Sequence, residues 1–283
     1  SMKKNKFLFC IGLLLTVATI VNAQSVTWIS STEGNVWQKS KVKLQSKSEQ
    51  NPVLQVDGTE NGVAFKNWGT TFNELCWDAL GLLTRTEQDE ILYNIFSPQG
   101  DLRITRGRIS MGANDYARSW YSCDEVEGDF ELRYFNINRD KQTIIPFIRA
   151  AQKYNPNLTF WISPWCPPSW MKINGDYPVL SSPFNSLSEK QNYLLYGATG
   201  GQVDENEMKL TGARDGVFPR QLATTDFMIQ DPRYLQTYAD YFCRFIDAYK
   251  EQGIPIDMVM YQNEAYSYTP YPGCAWTIPK PRS

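Results

Sequence analysis

The chain has 283 residues, 42% hydrophobic and 20% charged, a composition typical of a globular protein that excludes long disordered segments. Its formal net charge is −2, so nothing in the composition indicates a nucleic-acid partner. It contains no histidine, which excludes Ser-His-Asp and Cys-His catalysis and histidine metal sites. Carboxylates, tyrosines and cysteines remain for proton transfer.

Aromatic residues make up 14% of the chain, with nine tryptophans and sixteen tyrosines. Most aromatic side chains in any protein are core residues. Tryptophan-rich clefts, however, also hold sugar rings by stacking against their C–H faces. The composition is therefore compatible with a carbohydrate ligand.

The first 23 residues have the pattern of a signal peptide. Lysines precede the apolar run Phe7–Val21, and Val21-Asn22-Ala23 fits the small-residue cleavage rule. The apolar run is too short for a stable membrane anchor. The sequence therefore predicts an exported protein, periplasmic or secreted after cleavage.

Five cysteines follow this segment, and an odd number leaves at least one thiol unpaired within the chain. Their spacing matches no zinc pattern, so we interpret them as small buried residues with at most one disulfide, whose pairing the sequence leaves open. They are Cys76, Cys123, Cys166, Cys243 and Cys274.

Residues 24–62 have the alternating, β-branched pattern of short strands. Val26–Ile29, Val42–Gln45 and Val53–Val56 are the predicted strands, and Asp57-Gly58 is a turn signal. So few strands do not form a stable sheet alone, so we expect them to join another part of the protein.

From residue 63 onwards, strand and helix patterns alternate, starting with a strand near Val63–Phe65. The next elements are a helix from Glu87 to Phe96, capped by Thr86, and a strand over Leu102–Ile109. Arginines in that strand are costly unless paired, so we expect one of them to reach an acidic site.

The alternation continues with two further helix and strand pairs, interrupted by a long loop at residues 172–230. Right-handed β-α-β connections then predict a parallel sheet, either open and doubly wound or closed into an eight-fold barrel. No glycine-rich phosphate loop follows the first strand, so the barrel is favoured. The predicted elements are helix Asp140–Tyr154, strand Leu158–Ser163, a helix opening at Asp231-Pro232 and ending at Gly253, and strand Ile256–Glu264.

The last of these strands is an apolar run that ends abruptly in Gln262-Asn263-Glu264. Such a run predicts a strand buried on both faces of a parallel sheet. Active sites in parallel α/β folds lie where strands end, so Glu264 occupies the position expected of a catalytic acid. The alternative is a strand that simply meets water at its end.

Three motifs at strand ends make the chain resemble glycoside hydrolase family 30, the retaining β-glycosidases that include glucosylceramidases and β-1,6-glucanases. The resemblance runs from about Phe65 to Thr277. The motifs are Arg106–Met111 with Asp115, Ser163–Lys172, and Gln262–Glu264 with Tyr271–Cys274.

The resemblance implies a (β/α)8 TIM-barrel fold, of which residues 63–283 would be the N-terminal half, barrel strands 1–4. Residues 24–62 would then be strands of a side β-sandwich. Residues 172–230 would be a loop insertion in the barrel.

The resemblance also implies roles for seven residues, and neither a metal nor a cofactor. Glu264 is implied to be the general acid/base, and Asn263 to bond the sugar 2-hydroxyl. The other implied substrate-binding residues are Asp115 and Trp165 in the −1 subsite, Arg108 beneath the nucleophile, Tyr271 at the site wall, and Trp170.

Retaining hydrolysis needs two carboxylates about 5–5.5 Å apart, one nucleophilic and one shuttling a proton. In the family the nucleophile follows the seventh barrel strand, so we expect this chain to stop short of it. Two hypotheses result. The first is a retaining β-glycosidase acting on β-glucosides or β-1,6-glucan-type glycans. The second is an inactive fragment or weak glycan-binding protein that self-associates through unpaired strand edges.

Overall fold

A computed structural model describes residues 25–43, 62, 64–187, 227–265, 267 and 269–276. The chain divides after Ala64 into two compact units. The predicted signal peptide, the predicted strand Val53–Val56 and most of the long loop lie outside the described residues. No helix within the described ranges is both long and apolar enough to cross a bilayer.

The described part of the first unit is an antiparallel hairpin of strands β1 (Ser25–Thr32) and β2 (Asn35–Lys43). The predicted strand at Val26–Ile29 lies inside β1. The second strand starts well before Val42, because the chain reverses at Glu33-Gly34, where Gly34 adopts a φ of 78°.

The second unit contains a four-stranded parallel sheet whose strands are adjacent in chain order, β3-β4-β5-β6. This arrangement agrees with the expected α/β fold and its β-α-β connections. The strands are β3 (Gly69–Phe72), β4 (Arg106–Ser110), β5 (Thr159–Ser163) and β6 (Ile256–Val259).

Four helices accompany this sheet in the described residues, together with two short 3-10 turns at Asp140–Gln142 and Ser169–Met171. The first helix is not anticipated by the sequence pattern. The helices are α1 (Glu74–Gly81), α2 (Arg85–Phe96), α3 (Ile144–Gln152) and α4 (Pro232–Glu251).

Helix α2 begins two residues before its predicted start, and Thr86 is not its cap. Thr84 is the cap: its hydroxyl accepts the Glu87 N–H at 3.4 Å, and the Glu87 carboxylate accepts the Thr84 N–H at 2.8 Å. This reciprocal pair requires a spacing of three residues and satisfies two backbone donors, so it places the helix start at Arg85.

The helix predicted over Asp140–Tyr154 is divided at Thr143, which has φ −131° and ψ −73°. Pro146 is the third residue of α3 and has no N–H to donate to the preceding turn. The chain therefore forms a 3-10 turn before the α-helix begins. By contrast, α4 starts as predicted, with the Asp231 carboxylate accepting the Arg233 N–H at 2.8 Å.

One face of the sheet packs against the helices and forms the core. Phe72, Ile109 and Phe160 are fully buried on this face. Gly107 lies between the two rings, and a Cβ there would come within 2.5 Å of Phe72 and 2.8 Å of Phe160. The close packing of these aromatic rings therefore depends on a glycine at this position.

Strand β6 is not buried on both faces, and this prediction is wrong. Met258 is 42% exposed and Val259 is 46% exposed. In the part of the chain that the structure describes, β6 pairs with β5 alone and forms the sheet edge. An apolar run predicts a strand, but it does not predict how many other strands pair with that strand.

The five cysteines of the described residues are all free thiols. Cys123, Cys166 and Cys274 are buried, as interpreted from the sequence, whereas Cys76 and Cys243 are exposed. The expectation of small buried residues is therefore correct for only three of them.

Asp140 is a completely buried carboxylate at the junction of the helices. It accepts hydrogen bonds of 2.6 Å from the hydroxyls of both Tyr121 and Tyr249. Burial raises the pKa of Asp140 to about 6, against the lowering effect of the two tyrosine donors. The folded state therefore holds a proton on Asp140 more tightly than the unfolded chain does.

We expect Asp140→Asn to change how stability depends on pH. Because the pKa is raised on folding, protonated Asp140 contributes stability fully below pH 4, and this contribution is lost as pH rises through 6. Relative to the variant, the wild type should lose on the order of 3 kcal/mol between pH 4 and 7. Urea unfolding of both proteins across this range measures the difference.

Asp247→Asn on α4 is the matched control, because it removes a carboxylate that is exposed to solvent. Its stability difference from the wild type should not change with pH over the same range. A constant difference for Asp140→Asn as well would contradict the assignment.

Candidate active site

The candidate site lies at the carboxyl edge of the parallel sheet, where three sequence motifs converge. Asp115 follows β4, Trp165 follows β5, and Asn263 and Glu264 follow β6. Parallel strands end at one edge, so residues distant in the sequence come together there.

Arg108 of β4 connects the three strands at this edge. Its Nε and Nη2 donate to the Ser163 hydroxyl of β5 at 3.0 and 2.8 Å, and Nη2 also donates to the Asn263 side-chain oxygen at 2.6 Å. The planar guanidinium thus fixes the amide of Asn263, the residue directly before Glu264.

The guanidinium of Arg108 also lies against two indole rings, with Cζ 5.2 Å from the Trp161 ring centre and 5.7 Å from that of Trp165. Burial lowers the pKa of Arg108, whereas the charges of Asp115 and Glu264 raise it. An arginine remains protonated under such shifts, so a partly desolvated cation lies within reach of two carboxylates.

Glu264 is exposed and has a φ of 44°, which is unusual for a residue with a side chain. The backbone on either side is held: the Asn263 N–H donates to the Pro164 carbonyl at 2.8 Å, and the Ser267 N–H donates to the Glu264 carbonyl at 2.9 Å. A left-handed non-glycine residue costs about 1–3 kcal/mol, and such strain clusters at functional positions.

Asp115 is within electrostatic reach of both charged neighbours. Partial desolvation raises its pKa and so does the charge of Glu264, while its own backbone N–H and the Arg108 cation lower it. The net direction is upward. Asp115, Arg108 and Glu264 therefore form one charge cluster, although they come from three different segments.

Trp165 and Tyr271 form an aromatic wall beside this cluster, with ring centres 6.0 Å apart and planes inclined by 56°. The Trp165 carbonyl accepts the Gln262 side-chain amide at 2.6 Å, which ties the wall to the end of β6. The indole N–H of Trp165 is buried without a partner in this structure. A ligand oxygen placed there would accept a hydrogen bond from this N–H, and a buried donor without an acceptor is costly.

Trp170, predicted to bind substrate, lies in the core. Its side chain is only 1% exposed, its indole N–H donates to the Asp124 carbonyl at 3.0 Å, and its ring packs against Phe130 and Tyr234. The expected substrate contact is thus corrected to a core position. Both tryptophans occupy one proline-rich loop, and the sequence does not distinguish the buried ring from the one at the site.

Sequence reasoning missed Ser163, Trp161 and Gln262 as parts of the site. The signal for Ser163 and Trp161 was present in the two-residue alternation of the strands. In β4 and β5 the buried apolar residues alternate with Arg106, Arg108, Trp161 and Ser163, and strand residues two apart share a face.

The described ranges contain no group of three or more Asp, Glu, Cys or His side chains arranged to hold a metal ion. The charged groups at this edge are two carboxylates and a guanidinium. Such a set can transfer protons and bind hydroxyl groups.

Part of this chain matches a known family model. The model of the glycosyl hydrolase family 30 TIM-barrel domain matches residues 65–182, which include β3 to β5, Asp115 and Trp165. Residues 65–182 are therefore similar to the barrel domain of glycosyl hydrolase family 30. The resemblance stated from the sequence is therefore confirmed.

Curated relatives of this chain are glycosidases by name. "Putative glucosylceramidase 4" of Caenorhabditis elegans is 27% identical over 250 residues, which cover 88% of this chain and 40% of the relative. Endo-1,6-beta-D-glucanase neg1 of Aspergillus fumigatus is 26% identical over 231 residues, covering 80% and 40%. The chain thus spans about two-fifths of the length of these relatives.

Solved structures show the same fold at low identity. SrfJ from Salmonella typhimurium is 17% identical with a TM-score of 0.59, covering 90% of this chain and 47% of its own. The endo-beta1,6-glucanase BT3312 is 22% identical with a TM-score of 0.56, covering 86% and 44%. These likenesses support an α/β fold.

The charge cluster predicts opposite shifts at Asp115 in two variants. Arg108→Met should raise the pKa of Asp115, because it removes a cation that lowers it, and Glu264→Gln should lower the pKa, because it removes a negative charge that raises it. Titration of the Asp115 carboxyl carbon by ¹³C NMR measures both shifts.

Arg106→Met is the control, since Arg106 pairs with Asp257 rather than with the cluster. It should leave the titration of Asp115 unchanged. Shifts of the same sign in the first two variants would show that the three groups do not interact as described.

Proposed function

We propose that this chain carries the acid/base half of a retaining β-glycosidase active site. The observation behind the proposal is the position of Asn263-Glu264 at a strand end, beside Arg108 and Asp115 and under the wall of Trp165 and Tyr271. That set combines a proton-transfer group, hydrogen-bonding groups for hydroxyls and an apolar surface for a sugar ring.

In the proposed reaction, Glu264 protonates the departing glycosidic oxygen and later removes a proton from the attacking water. The shuttle must carry a proton before the first step, and nearby negative charge favours that state. The nucleophile in this proposal is a second glutamate on a later strand of the parent barrel, as the family resemblance implies. Attack by that carboxylate forms a covalent glycosyl intermediate, and water releases it with net retention.

The other residues of the site have binding roles in the proposal. Asn263 would bond the sugar 2-hydroxyl through its amide N–H, because its oxygen already faces Arg108. Asp115 would accept further hydroxyls, and Trp165 would supply both its ring face and its unpartnered indole N–H. Arg108 would hold the nucleophilic carboxylate of the parent barrel ionised through its charge.

The proposed substrates are β-glucosides or β-1,6-linked glucans, because the relatives reported above are named "Putative glucosylceramidase 4" and "Endo-1,6-beta-D-glucanase neg1". We further propose that the protein acts after export, in the periplasm or outside the cell. Neither a metal nor a cofactor enters the proposed reaction.

Glu264→Gln in the full-length protein tests the acid/base role. Hydrolysis of a β-1,6-linked glucose disaccharide, which has a poor leaving group, should fall roughly 100- to 10,000-fold, because protonation of that group is lost. An activated aryl β-glucoside needs less protonation, so its first step should be much less affected. Added azide should then restore turnover and give the β-glucosyl azide, since azide needs no general base.

Glu90→Gln on the exposed side of α2 is the matched control and should hydrolyse both substrates at the wild-type rate. Equal losses on the two substrates, or a rescue product of α configuration, would contradict the assignment of Glu264.

A further inference from the structure

The loop that carries Asp115 is bound to the first turn of α1. We call residues 112–121 the Asp115 loop. The Leu75 N–H donates to the Tyr116 carbonyl at 3.2 Å, and the Arg118 N–H donates to Glu74 Oε2 at 2.8 Å. The helix therefore holds the backbone on the C-terminal side of Asp115 at two points within three residues.

Glu74 is the central acceptor of this contact. Its side chain is 1% exposed. In addition to the Arg118 backbone N–H, it accepts hydrogen bonds from the Arg139 guanidinium at 2.9 and 2.6 Å and from the Thr143 hydroxyl at 3.2 Å. Burial raises the pKa of Glu74, but these donors outweigh burial and lower it overall. Glu74 is thus an ionised carboxylate in a dry environment, where a lost charge has large consequences.

Arg139, which is bound to Glu74, also contacts the Asp115 loop. Its Nη1 and Nη2 donate to the hydroxyl and carbonyl of Ser119, both at 2.8 Å, and its Cζ lies 4.1 Å from the ring centre of Tyr121. Since Arg139 is itself oriented by Glu74, one carboxylate organises contacts to three loop residues. Ionised Glu74 is therefore the point from which this side of the loop is fixed.

The other side of Asp115 is held by its own neighbour. Asn114 is 3% exposed; its amide donates to the Gly112 carbonyl at 3.1 Å and its oxygen accepts the Tyr116 N–H at 2.8 Å. Asp115 is exposed between these fixed residues. Its backbone has little freedom, so the place of its carboxylate depends on how the loop is anchored.

We propose that Glu74 is a positioning residue for Asp115: it anchors the Asp115 loop so that the Asp115 carboxylate stays beside Arg108 and Glu264. This proposal rests on the proposed function in one respect, namely that Asp115 binds a sugar. Glu74 touches no reacting atom and acts through Asp115. In the sequence, Glu74 has the same appearance as any glutamate in the first turn of a helix.

The decisive test is a double-mutant cycle in the full-length protein, with Glu74→Gln, Asp115→Asn and the pair. Glu74→Gln keeps the shape but removes the charge, and we expect kcat/KM for an aryl β-glucoside to fall on the order of tenfold, chiefly through KM. In the Asp115→Asn background the same change should have no further effect on kcat/KM, because its action passes through Asp115. Equal losses in both backgrounds would overturn the proposal, since a general structural defect acts regardless of residue 115.

Two measurements without substrate separate this proposal from the proposed function. In Glu74→Gln the Arg118 amide should exchange its hydrogen on the order of tenfold faster, and the ¹³C titration of Asp115 should shift. If the full-length protein hydrolyses no glycoside, the proposed function fails, while these two readouts still decide the positioning role. Unchanged exchange together with an unchanged Asp115 titration would overturn it.

Asp78→Asn is the matched control, because it removes another α1 carboxylate that contacts the same loop. Asp78 binds the Arg118 side chain, but that ion pair is 38–48% exposed, and exposed pairs contribute little. We expect less than a roughly threefold change in kcat/KM and no change at the Arg118 amide. An effect of Asp78→Asn as large as that of Glu74→Gln would assign the anchoring to Arg118 and overturn the role of Glu74.

Discussion

The organisation of this protein depends on one cation placed in the middle of a parallel sheet. Arg108 is expensive to bury, and the cost is offset only because Ser163, Asn263 and two indole rings surround it. Those partners come from β5, the loop after β5 and the end of β6. The arginine therefore fixes the relative position of the segments that carry Asp115, Trp165 and Glu264.

The sheet has a different function on each face. Phe72, Ile109 and Phe160 form the core with the helices, and Gly107 allows the rings to approach closely. The opposite face carries Arg106 and Arg108. Arg106 pairs with Asp257 of β6, so both arginines of β4 join the first part of the sheet to its last strand. Stability and the chemistry of the site are thus built on the same short strands.

Much of the fold follows from local signals. The Asp231-Pro232 start of α4 and the strand at Thr159–Ser163 agree with the sequence prediction, because caps and apolar runs are properties of neighbouring residues. The exposure of β6 and the burial of Trp170 were not predictable in this way. Both depend on which segments pack nearby, and an apolar run or a tryptophan has the same appearance in the sequence in either case.

The site shows the same division. A carboxylate at the end of a strand and aromatic residues in a proline-rich loop are readable from sequence, so Glu264 and Trp165 could be nominated. The contact of Glu74 with the Asp115 loop joins residues 44 positions apart through a backbone N–H, for which no residue type is diagnostic. The family resemblance named the residues that would meet the sugar but not those that hold them in place.

The central claim is that this strand edge binds a β-linked glucose, and a crystal structure with a thio-linked β-1,6-glucose disaccharide tests it most directly. The account predicts a glucose ring against Trp165, hydroxyls bonded to Asp115 and Asn263, and the bridging sulfur beside Glu264. A disaccharide bound elsewhere, with this edge occupied only by solvent, would contradict it.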